Sequence, residues 1–139
     1  MGHKVTTTWK NKMLLESDNP LGKNLLMESG PDFGGSNQGL SPKALMLSSL
    51  GGCTGLDLLS LLKKMRVEIE GFKVIVNGEL TEEHPKYYDK VSIDYYFTGT
   101  DLNKEKIKKA VSLSEERYCG VIKMFRAFAE VTIAIHFNE

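Results

Sequence analysis

This sequence is short of cysteine, histidine and proline, with two, three and four copies in 139 residues. Two cysteines so far apart, Cys53 and Cys119, exclude a small disulfide-stapled scaffold. With the histidines they form no C-x-x-C or H-E-x-x-H spacing, so no metal centre is expected. Charge of one sign is also missing: 18 basic and 18 acidic side chains cancel. That argues against the basic face a nucleic-acid partner requires. No apolar run is expected to reach the roughly 18 residues of a membrane helix. Met1-Gly2-His3-Lys4 lacks the apolar core of a signal peptide, so a cytoplasmic protein with no membrane partner is expected. Gly30 to Gly39 is glycine-rich but is followed by no G-K-[ST], which excludes a phosphate loop, and no Ser-His-Asp arrangement is apparent. No cofactor is expected. In a reducing cytosol the two thiols are either inert or a redox-cycling pair.

What is present reads as one α+β domain over residues 1–139, in three parts. Residues 1–40 form short strands and a loop. Val5-Thr6-Thr7-Thr8-Trp9 suits a pleated surface, Met13-Leu14-Leu15-Glu16 follows, and Lys23 to Glu28 closes a hairpin past the turn chemistry of Ser17 to Gly22. Ser29 to Leu40, with four glycines and Pro31, is a long loop. Residues 41–66 form the central helix: Ser41-Pro42 is a strong start, and Lys63, Lys64 and Arg66 suit the negative end of its dipole. Its leucines are dense enough that it must be covered on most sides. Gly51-Gly52 at its middle costs roughly 1 kcal/mol per residue against alanine, which points to another backbone approaching closely. Residues 67–139 alternate as strands around Phe72–Asn77, Val91–Thr98 and Val131–Phe137. A helix capped by Asp101 or Asn103 runs to Leu113, and a second helical stretch covers about Glu115 to Phe128. Antiparallel pairing is expected, with the helices gathered on one side.

Cys53 lies in Gly51-Gly52-Cys53-Thr54-Gly55-Leu56-Asp57. A lone cysteine on an apolar helix reads first as a small buried hydrophobe. Three glycines within five positions open space beside this sulfur, and Asp57 falls one turn later on the same face. A carboxylate there needs hydrogen-bond partners, and its charge would raise a neighbouring thiol's pKa, so Asp57 reads as a network residue and not as the activator of Cys53. Cys119 lies in Glu115-Glu116-Arg117-Tyr118-Cys119-Gly120. If the helix breaks there, the thiol meets a helix N-terminus, which lowers its pKa, and Arg117 can add charge.

The block from Ser41-Pro42-Lys43-Ala44-Leu45 through Gly51-Gly52-Cys53-Thr54-Gly55-Leu56-Asp57, with Glu116-Arg117-Tyr118-Cys119 further on, resembles the superfamily of osmotically inducible protein C (OsmC) and organic hydroperoxide resistance (Ohr) proteins, most of all its YhfA-like branch. The resemblance implies an OsmC-like fold, an intertwined homodimer with antiparallel sheets wrapped around long central helices and active sites at the subunit interface. It implies a peroxidatic Cys53 and a resolving Cys119, an organic hydroperoxide or apolar electrophile as substrate, an apolar pocket favouring alkyl over hydrogen peroxide, and an external thiol as reductant. The chain departs from the family's best-characterised peroxidases in one respect. They use an arginine from the N-terminal region and a glutamate just after the helix-start proline; here no arginine precedes Arg66, and Lys43 follows Pro42. Lys43, Asp57, Glu116 and Arg117 are therefore the supporting candidates, with Lys123, Arg126, His84 and His136 as further cations. Two functions follow: a thiol peroxidase of oxidative or osmotic stress defence, or a dimeric ligand-binding or redox-sensing protein with little turnover.

Overall fold

The computed structural model describes residues 1–139, which divide into two compact units, Met1–Met46 and Leu47–Glu139. The first unit holds three short strands, β1 (Thr7–Asn11), β2 (Leu14–Ser17) and β3 (Leu25–Glu28), paired in that order as an antiparallel meander. The glycine-rich loop is ordered by one acidic side chain. The carboxylate of Glu28 accepts the backbone N–H of Ser36 (2.9 Å), Gln38 and Gly39 (2.7 Å), and the Ser36 hydroxyl (3.2 Å). Those backbone donors hold the Glu28 carboxyl below its ordinary value. The loop includes a 3-10 turn, Pro31–Phe33, and returns along β3, where Leu40 and Met27 pair in parallel. Gly35 is obligatory, because a Cβ there would lie 1.8 Å from the carbonyl oxygen of Ser29.

Helix α1 (Pro42–Lys64) begins where expected, with Leu45 N–H bonded to the Ser41 carbonyl (2.9 Å). It ends in a Schellman arrangement: Val67 N–H reaches the Leu62 carbonyl (2.9 Å), Arg66 N–H reaches that of Lys63 (3.2 Å), and Arg66 takes the left-handed conformation (φ 57°). Contrary to expectation, α1 has the length and apolar content of a membrane span, because Ser, Thr and Gly interrupt its leucines without adding charge. Leu50, Thr54, Leu58 and Leu62 are buried, each buried leucine contributing roughly 1.5–3 kcal/mol. Coverage on most sides is not observed: Met46 (46%), Leu56 (70%) and Leu59 (44%) stand exposed. Within the chain, side chains approach the helix at its glycines: Val76 at Gly51, and Phe72 and Val74 at Gly55, while a Cβ at Gly52 would meet nothing within 4 Å.

The second unit carries β4 (Gly71–Leu80), β5 (Tyr88–Thr98) and β6 (Glu130–Asn138), with β5 central. Alternation puts Val91, Ile93, Tyr95 and Phe97 of β5 wholly inside, packed with Leu50, Leu58 and Leu62 of α1. Helix α2 (Lys104–Leu113) is capped by Asn103, whose side chain accepts from Lys106 N–H (3.1 Å), and it adds Ile107, Ala110 and Val111 to this core. Antiparallel pairing holds for β4 with β5 and fails for β6, which runs parallel to β5 from Lys90 opposite Glu130 to Thr98 opposite Asn138. A helical excursion separates these two strands, and a crossover connection brings the chain back in the same direction.

Candidate functional site

Cys53 sits at the middle of α1 and is part-buried; Cys119 is 4% exposed, and both are free thiols. The expected second helix is broken around Cys119. Ser114–Tyr118 winds as a π-helical turn, Cys119 is extended, and α3 (Gly120–Arg126) begins after it. Such turns recur at functional positions. Here the turn brings a buried thiol up to α1: the sulfurs of Cys53 and Cys119 and a carboxylate oxygen of Asp57 all lie within 4.8 Å of one another.

A hydrogen-bonded chain fixes the two cysteine-bearing elements in register. Thr54, next to Cys53, holds both the Tyr95 hydroxyl (2.6 Å) and the Ser114 hydroxyl (3.0 Å), and all three residues are fully buried. Ser114 then accepts the backbone N–H of Cys119 through its carbonyl (2.8 Å). Sequence reasoning missed this chain. Its available signal was Tyr95 on the inward face of β5, since a buried phenol requires a partner. Burial and the Thr54 contact act oppositely on Tyr95, and burial prevails, pushing it up to about 12.

Cys119 does cap a helix, accepting Ile122 N–H at 3.4 Å. The expected lowering of its pKa is nevertheless reversed. Burial raises the thiol to about 11, the Ile122 N–H opposes this, and the neighbouring Cys53 thiol adds to the rise. The Ile122 and Val121 N–H groups together do not offset the loss of water around a thiolate. Asp57 is likewise raised by burial, and its Oδ2 is buried without a hydrogen-bond partner. The network role expected of this carboxylate therefore lacks a partner at that oxygen.

The other candidates are not members of this cluster. Glu116 and Arg117 are exposed on the π turn, and Glu116 accepts the Ser112 hydroxyl (3.4 Å). Arg117, Lys123 and Arg126 line, with Tyr118 and Cys119, a depression of about 510 Å³, so charged side chains border it. Arg126 is held by Glu115 at 2.7 Å, a pair not anticipated. Lys43 is exposed in the first turn of α1, ten positions before Cys53. His84 is exposed in the β4–β5 connection; His136 lies on the outer face of the sheet, bonded to Asp94 (2.9 Å) and stacked on Tyr96.

A model of the family described as OsmC-like protein matches residues 35–134. Protein YhfA of Escherichia coli (strain K12) is 28% identical over 124 residues, covering 89% of this chain and 90% of that protein. Among solved structures, a hypothetical protein from Aquifex aeolicus VF5 superposes with a TM-score of 0.85 at 28% identity, over 100% of this chain and 99% of that one. The organic hydroperoxide resistance protein OhrB of Bacillus subtilis shares the fold at a TM-score of 0.64 and 19% identity, over 97% and 98% of the two chains. A mixed α+β architecture, a thiol pair joining its central helix to the β5–β6 crossover, and a match over residues 35–134 agree: the chain belongs to the OsmC-like protein family.

Proposed function

We propose that the protein is a thiol-dependent peroxidase that reduces organic hydroperoxides through Cys53 and Cys119. The observation that carries this reading is the approach of the two sulfurs to within 4.8 Å, with Cys53 the more accessible and Cys119 enclosed. Cys53 attacks the distal oxygen of the hydroperoxide, giving a sulfenic acid and an alcohol. The Cys119 thiol then condenses with it, releasing water and leaving a disulfide, and an external thiol reduces the pair. A raised pKa suits the second role, because Cys119 holds its proton until the sulfenic acid forms.

The active form is a homodimer in the cytoplasm. Leu56 and Leu59, one turn apart, make an exposed apolar stripe on α1 that a second copy of the chain would cover, and Gly52, with open space beside it, leaves room for that copy. Leu56, one turn from Cys53, would give the apolar wall that selects alkyl hydroperoxides.

The test is oxidation of the reduced protein by an alkyl hydroperoxide, read as sulfenic acid trapping and disulfide formation. Cys53→Ser should abolish both; Cys119→Ser should abolish the disulfide and leave sulfenic acid at Cys53. Oxidation of Cys53 no faster than that of a free thiol would refute the reading. A second reading, a redox sensor with little turnover, is favoured by one observation: a carboxylate, not a cation, stands beside the two sulfurs, and a carboxylate opposes thiolate formation. The sensor would form the same disulfide once per stimulus, with slow re-reduction.

A further inference from the structure

We propose that the reduced Cys53–Asp57–Cys119 cluster is a zinc site. Cys53 and Asp57 are one turn apart on α1, and Cys119 is delivered by the π turn, so the set combines a local pair with a distant third donor. A tetrahedral zinc ion with Zn–S bonds of about 2.3 Å needs its sulfurs roughly 3.8 Å apart. The three donor atoms already lie within 4.8 Å of one another, so small side-chain rotations close the site. Asp57 supplies an independent reason to place a cation here: its buried Oδ2 has no hydrogen-bond partner, a costly state that a metal ion relieves.

Two thiolates select a borderline-soft ion over calcium or magnesium, which take oxygen ligands. Three protein ligands leave the fourth position for water, and the part-buried Cys53 side gives the ion an entry path. Binding displaces the two thiol protons and forms two Zn–S bonds and one Zn–O bond. Bound zinc would hold both sulfurs away from disulfide formation. A hydroperoxide that takes two electrons from the thiolates, with two protons, yields the disulfide, an alcohol and water, and frees the ion. This goes beyond peroxide reduction and requires only that both thiols be reduced.

The experiment uses full-length protein reduced with a non-thiol reductant, titrated with Zn2+ against a chromogenic chelator and separately with Co2+. One ion per chain is expected, with release of about two protons and thiolate-to-cobalt charge-transfer absorption. The disulfide form and Cys53→Ser should not take up the ion, and Asp57→Asn should weaken uptake by roughly 10-fold or more. If Cys53→Ser loses its native circular dichroism, Cys53→Ala provides the same comparison. Uptake unchanged in the disulfide form or in Asp57→Asn, or a cobalt complex without the thiolate band, overturns the proposal. No hydroperoxide enters the assay, so its failure leaves the peroxidase reading standing, and a protein that binds zinc without turnover separates the two in the other direction.

Discussion

Replacing Thr54 with valine tests the connection that sets the two cysteines in register. The shapes match, so the packing of α1 is kept and only the hydroxyl is lost. That hydroxyl serves two buried partners, Tyr95 Oη at 2.6 Å and Ser114 Oγ at 3.0 Å, both fully shielded from water. Each bond contributes roughly 1 kcal/mol net, and each hydroxyl left unpaired in the interior costs about 1–3 kcal/mol, so Thr54→Val should destabilise the protein by about 2–4 kcal/mol. Urea unfolding at several protein concentrations measures this and separates it from any effect on assembly. The double variant Thr54→Val/Tyr95→Phe should be less destabilised than the sum of its parts by about 1 kcal/mol, because one orphaned hydroxyl is removed with its partner. Disulfide formation should also slow in Thr54→Val, since Ser114 begins the turn that carries Cys119. A loss below about 0.5 kcal/mol, the level of an ordinary surface substitution, would refute the reasoning.

Three further outcomes are expected. Leu56→Arg, on the exposed stripe of α1, should convert a dimer to a monomer in light scattering; a mass unchanged by the substitution places the interface elsewhere. In reduced, metal-free protein the raised Cys119 pKa stabilises the fold fully below the ordinary value of 9.0, and this contribution is lost as pH rises towards about 11. Urea midpoints should therefore fall over that window, less steeply in Cys119→Ser, and equal slopes would remove Cys119 as the cause. Glu28 has the opposite sign: its lowered carboxyl contributes above the ordinary 4.5, and the contribution is lost as pH falls through the lowered value. Protection of the Ser36, Gln38 and Gly39 amides, taken relative to the intrinsic exchange rate at each pH, should thus be weaker in acid and in Glu28→Gln at neutral pH; protection unchanged in Glu28→Gln would mean the loop is held by other contacts.

Much of the fold was legible because its signals are local. Ser41-Pro42 marks the start of α1, Asn103 caps α2, and alternation from Val91 to Thr98 finds the central strand. The position of Cys53 was legible for the same reason. The rest depends on pairs distant in sequence. Alternation along Val131 to Phe137 says which face is buried but nothing of strand direction, so the parallel pairing of β6 was missed. A helix was expected to run from about Glu115 to Phe128, with a break at Cys119 weighed only as a condition; the direction of the Cys119 pKa was missed because burial outweighs the backbone N–H groups, and burial is a property of the assembled core. Asp57 was read as a group with hydrogen-bond partners of its own, whereas its Oδ2 is buried with none, and its place in a cluster depends on Cys119, distant in sequence. Glu28 seemed an ordinary strand end because its partners are backbone amides, which carry no sequence signature.

The parallel pairing of β5 and β6 bears on the order in which the molecule folds. β4 and β5 join across a short connection, Leu80 to Tyr88, whereas Lys90 must find Glu130 roughly 40 residues on. About five times as much chain to close makes the second pairing slower to nucleate by about 1.4 kcal/mol in loop entropy. The hairpin should form early and β6 should dock late. Cys119 lies inside the segment that waits. While the chain is incomplete or newly made, its two sulfurs are apart, and a sulfenic acid formed at Cys53 has no Cys119 thiol beside it to condense with. The thiol pair thus reports that folding is finished.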